Sequence, residues 1–225
     1  MFTRRPLIGV LVGGICLSFF PSIGSAAQPA APGKAYQVDT DRSRVFIKVG
    51  SASPLGHPHG VEGRLKSGRL TLGGDGELVF DMGTFTADTA ESRKRAGLDR
   101  EKVSASDAKK VTDTMRGGHV LDAARFPTAT FRIDTITPSD RQPPGAPGTY
   151  QLGGRFTLHG GEKDLRIKAR LEPSPGPKGQ MKLAGSFNSK QSDYGIKPYS
   201  TLGGLVKVSN ELEITGDLLL IPQAK

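Results

Sequence analysis

The sequence predicts an all-β domain, built as an antiparallel sandwich or barrel of short strands. Apolar and polar residues alternate through several segments, as in "DLRIKARLE" (residues 164–172). Such alternation is typical of strands, because successive side chains point to opposite faces. The segments lie close together and are bounded by clusters of Gly, Pro, Asp and Ser, which favour turns. Each strand therefore has one apolar face, and the function depends on what that face contacts.

The first 26 residues have the pattern of a secretory signal peptide. Arg4 and Arg5 precede an uncharged apolar run, residues 7–20, and small residues follow around Ala26. A helix that spans a membrane needs about 20 apolar residues. This run is shorter and Pro21 interrupts it, so we expect cleavage near residue 26 and a periplasmic or secreted mature protein.

The only cysteine of the chain lies within this signal segment. Cys16 sits inside the apolar run and follows Ile15, whereas a cysteine that receives a lipid anchor follows the run and a small residue. The mature chain therefore offers no thiol and no disulfide. An exported chain without disulfides fits a bacterial periplasm better than an animal extracellular fluid.

The charge of the chain gives little support for a nucleic-acid partner. The formal net charge is +9 and falls to +7 when Arg4 and Arg5 are removed with the signal segment. The remaining positive residues are spread along strand faces, without the interleaved aromatic residues that single-stranded nucleic acid favours. We expect a solvated basic surface and no nucleic-acid partner, and a weak contact with an anionic membrane surface stays open.

After the signal segment, residues 27–34 form a linker rich in Ala and Pro, and residues 35–222 form the predicted β domain. Each predicted strand places its apolar residues on one parity. These rows are Val45, Ile47 and Val49; Leu78, Phe80 and Met82; Ala129, Phe131 and Ile133; Phe156 and Leu158; Leu165, Ile167, Ala169 and Leu171; Met181, Leu183 and Phe187; and Val206, Val208, Leu212 and Ile214.

One segment interrupts the strands with a short helical insertion. Residues 89–125 are charged, rich in alanine and show little alternation. Ser106 or Asp107 is a candidate N-cap for a helix that runs to about Met115 and ends at Gly117. We expect this helix to lie over the mouth of the sheet structure.

The sequence offers little support for catalysis or metal binding. His57 and His59 lie in "GHPHG", but a metal site needs a third converging ligand, for which His119 is a candidate. The sequence has no G-x-S-x-G motif, and the mature chain has no cysteine. "GGDGE" (residues 73–77) lacks the Lys and the following helix of a phosphate loop, so it predicts a hairpin turn. We expect no enzyme activity, no cofactor and no metal.

The apolar rows are the remaining candidate site. A barrel of about eight strands has an interior that side chains fill or that holds one small ligand. A cavity with this lining would accept an apolar chain and exclude sugars, nucleotides and ions, whose polar groups would stay unpaired. The same residues could equally form a packed core. The candidate ligand contacts are Val45, Ile47, Phe80, Met82, Phe131, Phe156, Leu158, Ile167, Leu183, Phe187 and Val208, with Tyr194 at one end.

Four stretches of the sequence, in order, resemble the YceI-like family. They are "YQVDTDRSRVFIKV" (36–49), "VLDAARFPTATF" (120–131), "LGGRFTLHGGEKDLRI" (152–167) and "SDYGIKPYSTLGGLVKVSNELEI" (192–214). The resemblance implies an exported, lipocalin-like antiparallel barrel of about eight strands. In that family several proteins hold a polyisoprenoid chain, such as an isoprenoid quinone, and others hold fatty-acid-like molecules. The family has no established catalytic residues.

The resemblance favours a ligand cavity over a packed core. Our leading hypothesis is a periplasmic protein that shields a polyisoprenoid or other long-chain lipid from water, as a monomer or homodimer. His159, Tyr194 and Thr84 are candidates to meet a polar head group. The alternative is a structural or stress-response barrel with a filled interior that acts through its surface.

Three departures from the family pattern concern the ligand more than the fold. Tyr36 stands where the family commonly has Trp, Gln191 where it commonly has Arg, and Tyr194 where it commonly has Phe. If the residue at this position orients the head group of the ligand, Gln191 leaves the identity of the ligand open but not the fold.

Overall fold

The computed structural model describes residues 33–139 and 141–223. The predicted signal peptide, residues 1–26, and most of the linker, residues 27–34, lie outside this part of the chain. Within it, the elements are β1 (Ala35–Val38), β2 (Arg44–Ser51), β3 (His59–Thr71), β4 (Gly76–Ala87), α1 (Ala90–Arg95), α2 (Ala105–Arg116), β5 (Thr128–Pro138), β6 (Gly148–Leu158), β7 (Gly161–Pro173), β8 (Met181–Lys190), β9 (Ser200–Thr201) and β10 (Val206–Pro222).

Eight of these strands close into an antiparallel barrel, which confirms the predicted all-β, lipocalin-like fold. Strands β2 to β8 pair with their neighbours in sequence, and β10 pairs with both β8 and β2 to complete the ring. Closure pairs the strand edges that an open sheet would expose. The predicted hairpin turn at residues 73–77 is the connection between β3 and β4.

Strands β1 and β2 occupy successive parts of one strand position. β1 pairs with the last residues of β10 and β3, whereas β2 pairs with earlier residues of β10 and the first residues of β3. The turn between them is fixed by Asp39, whose carboxylate accepts hydrogen bonds from the amides of Asp41 and Arg42 at 3.1 and 3.0 Å. With the chain divided in this way, the side chain of Tyr36 on β1 is buried in the barrel interior.

Strand β3 did not follow from the alternation pattern, for a physical reason. Its pairing with β4 shifts register twice, and the inward side changes parity after Leu65, so that Val61 and Leu65 do not share a period of two with the buried Leu70. Gly63 stands between them, because the ring of Phe85 would lie within 2.6 Å of a Cβ atom at this position. The irregular pairing and the glycine therefore obscure the alternation of apolar residues in this strand of 13 residues.

The helical insertion is confirmed but contains two helices. The predicted N-caps of α2, Ser106 and Asp107, are wrong, because the cap is Ser104, whose hydroxyl accepts a hydrogen bond from the amide of Asp107 at 3.1 Å. The helix ends at Gly117 as predicted. The unpredicted α1 is capped by Thr89 in the same way. α1 packs on β3 and α2 on β4, at the end of the barrel where β4 ends. Within the described residues, no helix is long and apolar enough to cross a membrane.

One end of the barrel is closed by packed side chains. This closed end is where β4 begins and β3 and β7 finish, and its inward residues are almost completely excluded from solvent. The hydroxyl of Tyr150 donates to the carbonyl of Ala146 at 2.9 Å and accepts from the amide of Gly145 at 2.8 Å, so its polar atom is satisfied. The packed set comprises Tyr36, Leu70, Leu72, Ile136, Tyr150, Leu171 and Leu220.

Candidate apolar ligand cavity

The other end of the barrel contains an apolar cavity of about 170 Å³. We call this the open end. All eight barrel strands contribute to the wall, and Gln191 is the one polar residue of its lining within the described chain. The lining comprises Val45, Ile47, Val49, Val61, Leu78, Phe80, Met82, Phe85, Met115, Val120, Leu121, Ala129, Phe131, Leu152, Phe156, Leu158, Leu165, Ile167, Ala169, Leu183, Gly185, Phe187, Gln191, Ile196, Leu212, Ile214, Gly216 and Leu218.

Along β7, the burial of the inward apolar residues increases from the cavity toward the packed core. Leu165 and Ile167, nearer the open end, are only half-buried, whereas Ala169 and Leu171 are buried. The inward rows of β2, β6, β8 and β10 show the same gradient. The row in "DLRIKARLE" therefore serves two purposes, because its first residues face the cavity and its last residue packs in the core.

Three small residues on adjacent strands widen the middle of the barrel. Ala169 on β7 pairs with Gly185 on β8, and Gly185 pairs with Gly216 on β10. All three lie on the inward face and line the cavity. A Cβ atom at Gly216 would meet nothing within 4 Å, so the lack of side chains here leaves open space.

Aromatic side chains form one wall of the cavity. The ring of Phe156 makes edge-to-face contacts with Phe80, Phe131 and Tyr194, with centroids 6.0, 6.4 and 5.6 Å apart. Edge-to-face packing is the favoured arrangement of aromatic pairs, so these rings hold one another in place. Burial raises the pKa of the Tyr194 hydroxyl, which keeps this residue neutral.

The cover over the β6 and β7 side of the open end comes from two connecting segments. Val120 follows α2, and Tyr194 and Ile196 belong to the connection after β8; the three pack together against Phe156 and Leu158. Phe187, Leu212 and Val49, on the opposite side formed by β8, β10 and β2, are half-buried as well but do not pack against this cluster. The entrance to the cavity therefore lies on the β8–β10–β2 side.

Ten of the twelve predicted ligand contacts lie on the cavity wall. Whether they contact a ligand stays a prediction. Val208 and Tyr194 are not among the lining residues, and Tyr194 packs behind Phe156 instead. The ten are Val45, Ile47, Phe80, Met82, Phe131, Phe156, Leu158, Ile167, Leu183 and Phe187.

Val208 is not part of the cavity wall, because the pairing of its strand, β10, with β2 is irregular. The pairing of β10 with β2 shifts register between Val208 and Leu212, so the two residues do not share one face as strict alternation predicts. The start of β10 also runs past the barrel rim, where Val206 and Lys207 pair with β9. Val208 therefore lies outside the cavity lining, and its contact with a ligand stays a prediction.

Sequence alternation missed several lining residues. Met82 and Phe85 both face the cavity although they are three residues apart, because the β3–β4 pairing is irregular between them. Val61 belongs to the unpredicted β3. Five more lie on the helical insertion and the connections, where no strand period applies: Met115, Val120, Leu121, Gln191 and Ile196.

The three residues proposed for a head group do not meet on the cavity wall. The hydroxyl of Thr84 donates to the carbonyl of Asp81 at 2.7 Å and accepts from the amide of Arg64 at 2.9 Å, which stabilises the strand irregularity. His159 occupies a left-handed turn position with φ 52°, and its ring packs against Phe126 at 4.7 Å. Neither residue is among the lining side chains.

A buried polar network fastens α1 to the open end. The carboxylate of Asp88 lies 2.6 Å from Nδ1 of His59, accepts a hydrogen bond from Arg93 at 3.0 Å, and accepts another from the amide of Gly60 at 3.3 Å. Burial by itself raises the pKa of Asp88, but the hydrogen bond and charge of His59, with the hydrogen bonds from Arg93 and the Gly60 amide, outweigh burial and hold this pKa below its usual value. These groups satisfy one another's hydrogen-bonding capacity, which indicates a structural role. We call His59, Asp88 and Arg93 the polar tie.

The histidines do not assemble a metal site in the described chain. The rings of His57 and His59 lie 5.8 Å apart, and His59 is engaged with Asp88. Among residues 33–139 and 141–223, no group of three or more His, Cys, Asp or Glu side chains is placed to hold a metal ion.

Fold and site together define a closed antiparallel barrel with an apolar internal cavity, an architecture that encloses ligands in other eight-stranded barrels. Residues 36–220 match the model of the YceI-like domain. The chain belongs to the YceI-like family. No curated protein matches the sequence significantly.

Two solved structures share this fold at low sequence identity. A polyisoprenoid binding domain from Saccharophagus degradans, implicated in plant cell wall breakdown, has a TM-score of 0.58 and 13% identity, covering 84% of this chain and 99% of its own. BcnA of Burkholderia cenocepacia has a TM-score of 0.52 and 17% identity, covering 81% of this chain and 98% of its own. At such identities the likeness establishes the fold alone.

Proposed function

We propose that this protein holds the chain of a polyisoprenoid, such as an isoprenoid quinone, or of a similar long-chain lipid in the cavity at its open end. The observation that carries the proposal is the composition of the wall, where Gln191 is the only polar residue among the lining side chains of the described chain. A ligand with polar groups along its length would leave them unpaired, whereas an apolar chain loses nothing on entry.

The driving force would be burial of apolar surface. Removing apolar surface from water contributes about 25 cal/mol per Å², so a long chain can bind tightly with few hydrogen bonds. The half-buried Leu165, Phe187 and Leu212 would gain contacts as the chain covers them. Binding would therefore stabilise the open end more than the closed end.

The size of the cavity limits how the chain is accommodated. An apolar cavity of about 150 Å³ holds a molecule of the size of benzene. The cavity of about 170 Å³ thus holds only a short part of a long chain without rearrangement. We propose that side chains at the entrance, with Phe187 foremost, rotate to lengthen the cavity toward the rim and that the head group stays at the entrance.

One comparison supports the ligand class of this assignment, and the sequence supports export of the protein. The Saccharophagus degradans domain of the same fold is described as polyisoprenoid binding. The signal-like segment with Arg4, Arg5 and an apolar run supports export to a periplasm. We propose a role in binding and not in catalysis, because the buried polar network of Asp88 lies outside the cavity lining and the lining offers no acid, base or nucleophile.

Native mass spectrometry of protein exported to a bacterial periplasm, followed by solvent extraction, tests the proposal. We expect a discrete mass excess that extracts as a prenyl or acyl lipid. Gly216→Leu is the matched variant, because the new side chain would project into open space in the cavity. The variant should fold and lack the mass excess. Wild-type protein without bound lipid that also fails to take up added quinone or fatty acid would contradict the proposal and favour a barrel that acts through its surface.

A further inference from the structure

Exposed apolar side chains are concentrated at the open end of the barrel. The large hydrophobic residues with the greatest exposure in the described chain are Leu202 at 67%, Leu55 at 59%, Leu205 at 57%, and Tyr199 and Ile221 at 37% each. Ile221 lies at the closed end. The other four lie on the two connections beside the cavity entrance, and we call them the apolar rim.

The two connections of the apolar rim support each other. The β2–β3 connection carries Leu55, and the segment before β10 carries the other three rim residues. The amide of Ala52 donates to the carbonyl of Lys207 at 2.8 Å, and the amide of Lys207 donates to the hydroxyl of Ser53 at 2.9 Å. These bonds hold the two connections side by side at the start of β10, so the four exposed side chains project from one part of the open end.

The tip of the rim exposes its apolar side chains through backbone geometry. Leu202 has φ 51° and is followed by Gly203 and Gly204 with φ 65° and 95°. A left-handed conformation is uncommon for leucine and is costly, yet here it holds the side chain in water and not against the barrel. Together with the other exposed residues of the apolar rim, Leu202 is therefore a candidate contact for a partner.

Charge around the rim favours an anionic partner. The segments 52–58 and 196–207 contain Lys197 and Lys207 but no Asp or Glu. Both lysines are exposed. Apolar tips with flanking lysines match the two layers of an anionic bilayer surface, where hydrocarbon lies beneath negatively charged head groups, and Tyr199 is a residue type that favours that boundary.

We infer that the apolar rim docks on the surface of a bilayer that contains anionic lipids, with the cavity entrance facing the membrane. The inference rests on the proposed function, because docking at this end lets an apolar chain pass between bilayer and cavity without crossing water. The entrance side formed by β8, β10 and β2 is the side from which the rim projects.

Vesicle binding tests the inference with matched variants. The full chain after export, a Leu202→Ser/Leu205→Ser double variant and an Ile221→Ser control are sedimented with phosphatidylcholine vesicles with and without phosphatidylglycerol. We expect wild-type protein to bind the anionic vesicles, the double variant to bind about tenfold more weakly, and the control to bind as wild type. Quinone transfer between anionic vesicles should slow in the double variant alone.

Uptake of quinone from detergent solution, measured on the same proteins, separates this inference from the proposed function. The double variant should take up quinone like wild type, because none of the rim residues lines the cavity. Normal uptake with no vesicle binding, or with binding that ignores the rim substitutions, would overturn the docking inference. Vesicle binding that depends on the rim residues, without any uptake of quinone, would overturn the proposed function and support the docking inference. A dimer that dissociates in the double variant and does not bind vesicles would assign the rim to self-association and overturn membrane docking.

Discussion

The closed and open ends of this barrel are built from the same inward rows of side chains but differ in what holds them. At the closed end, large side chains such as Tyr150 and Leu171 meet on the barrel axis and exclude water completely. At the open end, Leu165 and Phe187 face a cavity, and hydrogen bonds around Asp88 fasten the surrounding segments. A barrel of this size can therefore have its most stable packing at one end and its candidate ligand site at the other.

The sharpest test of this division compares two leucines on β7. Leu171→Ala at the closed end should lower the free energy of unfolding by about 3 kcal/mol, since it leaves a void in a close-packed region. Leu165→Ala faces the cavity and should cost only about 1 kcal/mol, since the side chain is already half-exposed. Chemical denaturation of both variants measures the difference. Equal losses would mean that the cavity end is packed like the core.

The polar tie at the open end should give the second-largest effect. Asp88→Asn removes the carboxylate that pairs with the buried guanidinium of Arg93. The free energy of unfolding should fall by about 3 kcal/mol, because an uncompensated charge stays buried. Asp113→Asn on α2 is the control, because its pair with Lys109 is exposed and contributes little. Thermal unfolding compares the two variants, and a small effect of Asp88→Asn would show that the network is not a structural tie.

The same tie predicts how stability depends on pH. The folded-state pKa of Asp88 lies below its unfolded value, so its contribution is fully present above the unfolded pKa of about 3.9 and is lost as the pH falls through the folded pKa. Wild-type protein should therefore lose stability more steeply than Asp88→Asn below about pH 4. Unfolding curves measured across that range would contradict the assignment if the two proteins lost stability in parallel.

The smallest expected effect on stability belongs to Gly216→Leu. Its side chain would enter open space, so the free energy of unfolding should change by about 1 kcal/mol or less. Ligand retention should nevertheless be abolished. Gly185→Leu is the contrasting variant, because a Cβ atom there would lie 3.1 Å from Cβ of Ala169, and it should destabilise the fold as well.

Alternation of side chains was sufficient to predict the all-β fold and ten of the twelve proposed lining residues. It failed where the backbone departs from a period of two, as at Val208, Phe85 and the whole of β3. It also could not separate Leu165 from Leu171, because local pattern does not record how many side chains meet on the barrel axis. The cavity depends on the coincidence of small residues on three strands, and that register exists only in the folded barrel.

We propose that a long apolar chain enters the open end of the barrel and stops short of the packed closed end. The protein contains no tryptophan, so Phe187→Trp at the entrance provides a single fluorescent reporter. Titration with an isoprenoid quinone should give saturable quenching in Phe187→Trp and none in the same protein carrying Gly216→Leu. Quenching that never saturates, or that is unchanged when Gly216 is replaced, would contradict a ligand site in this cavity.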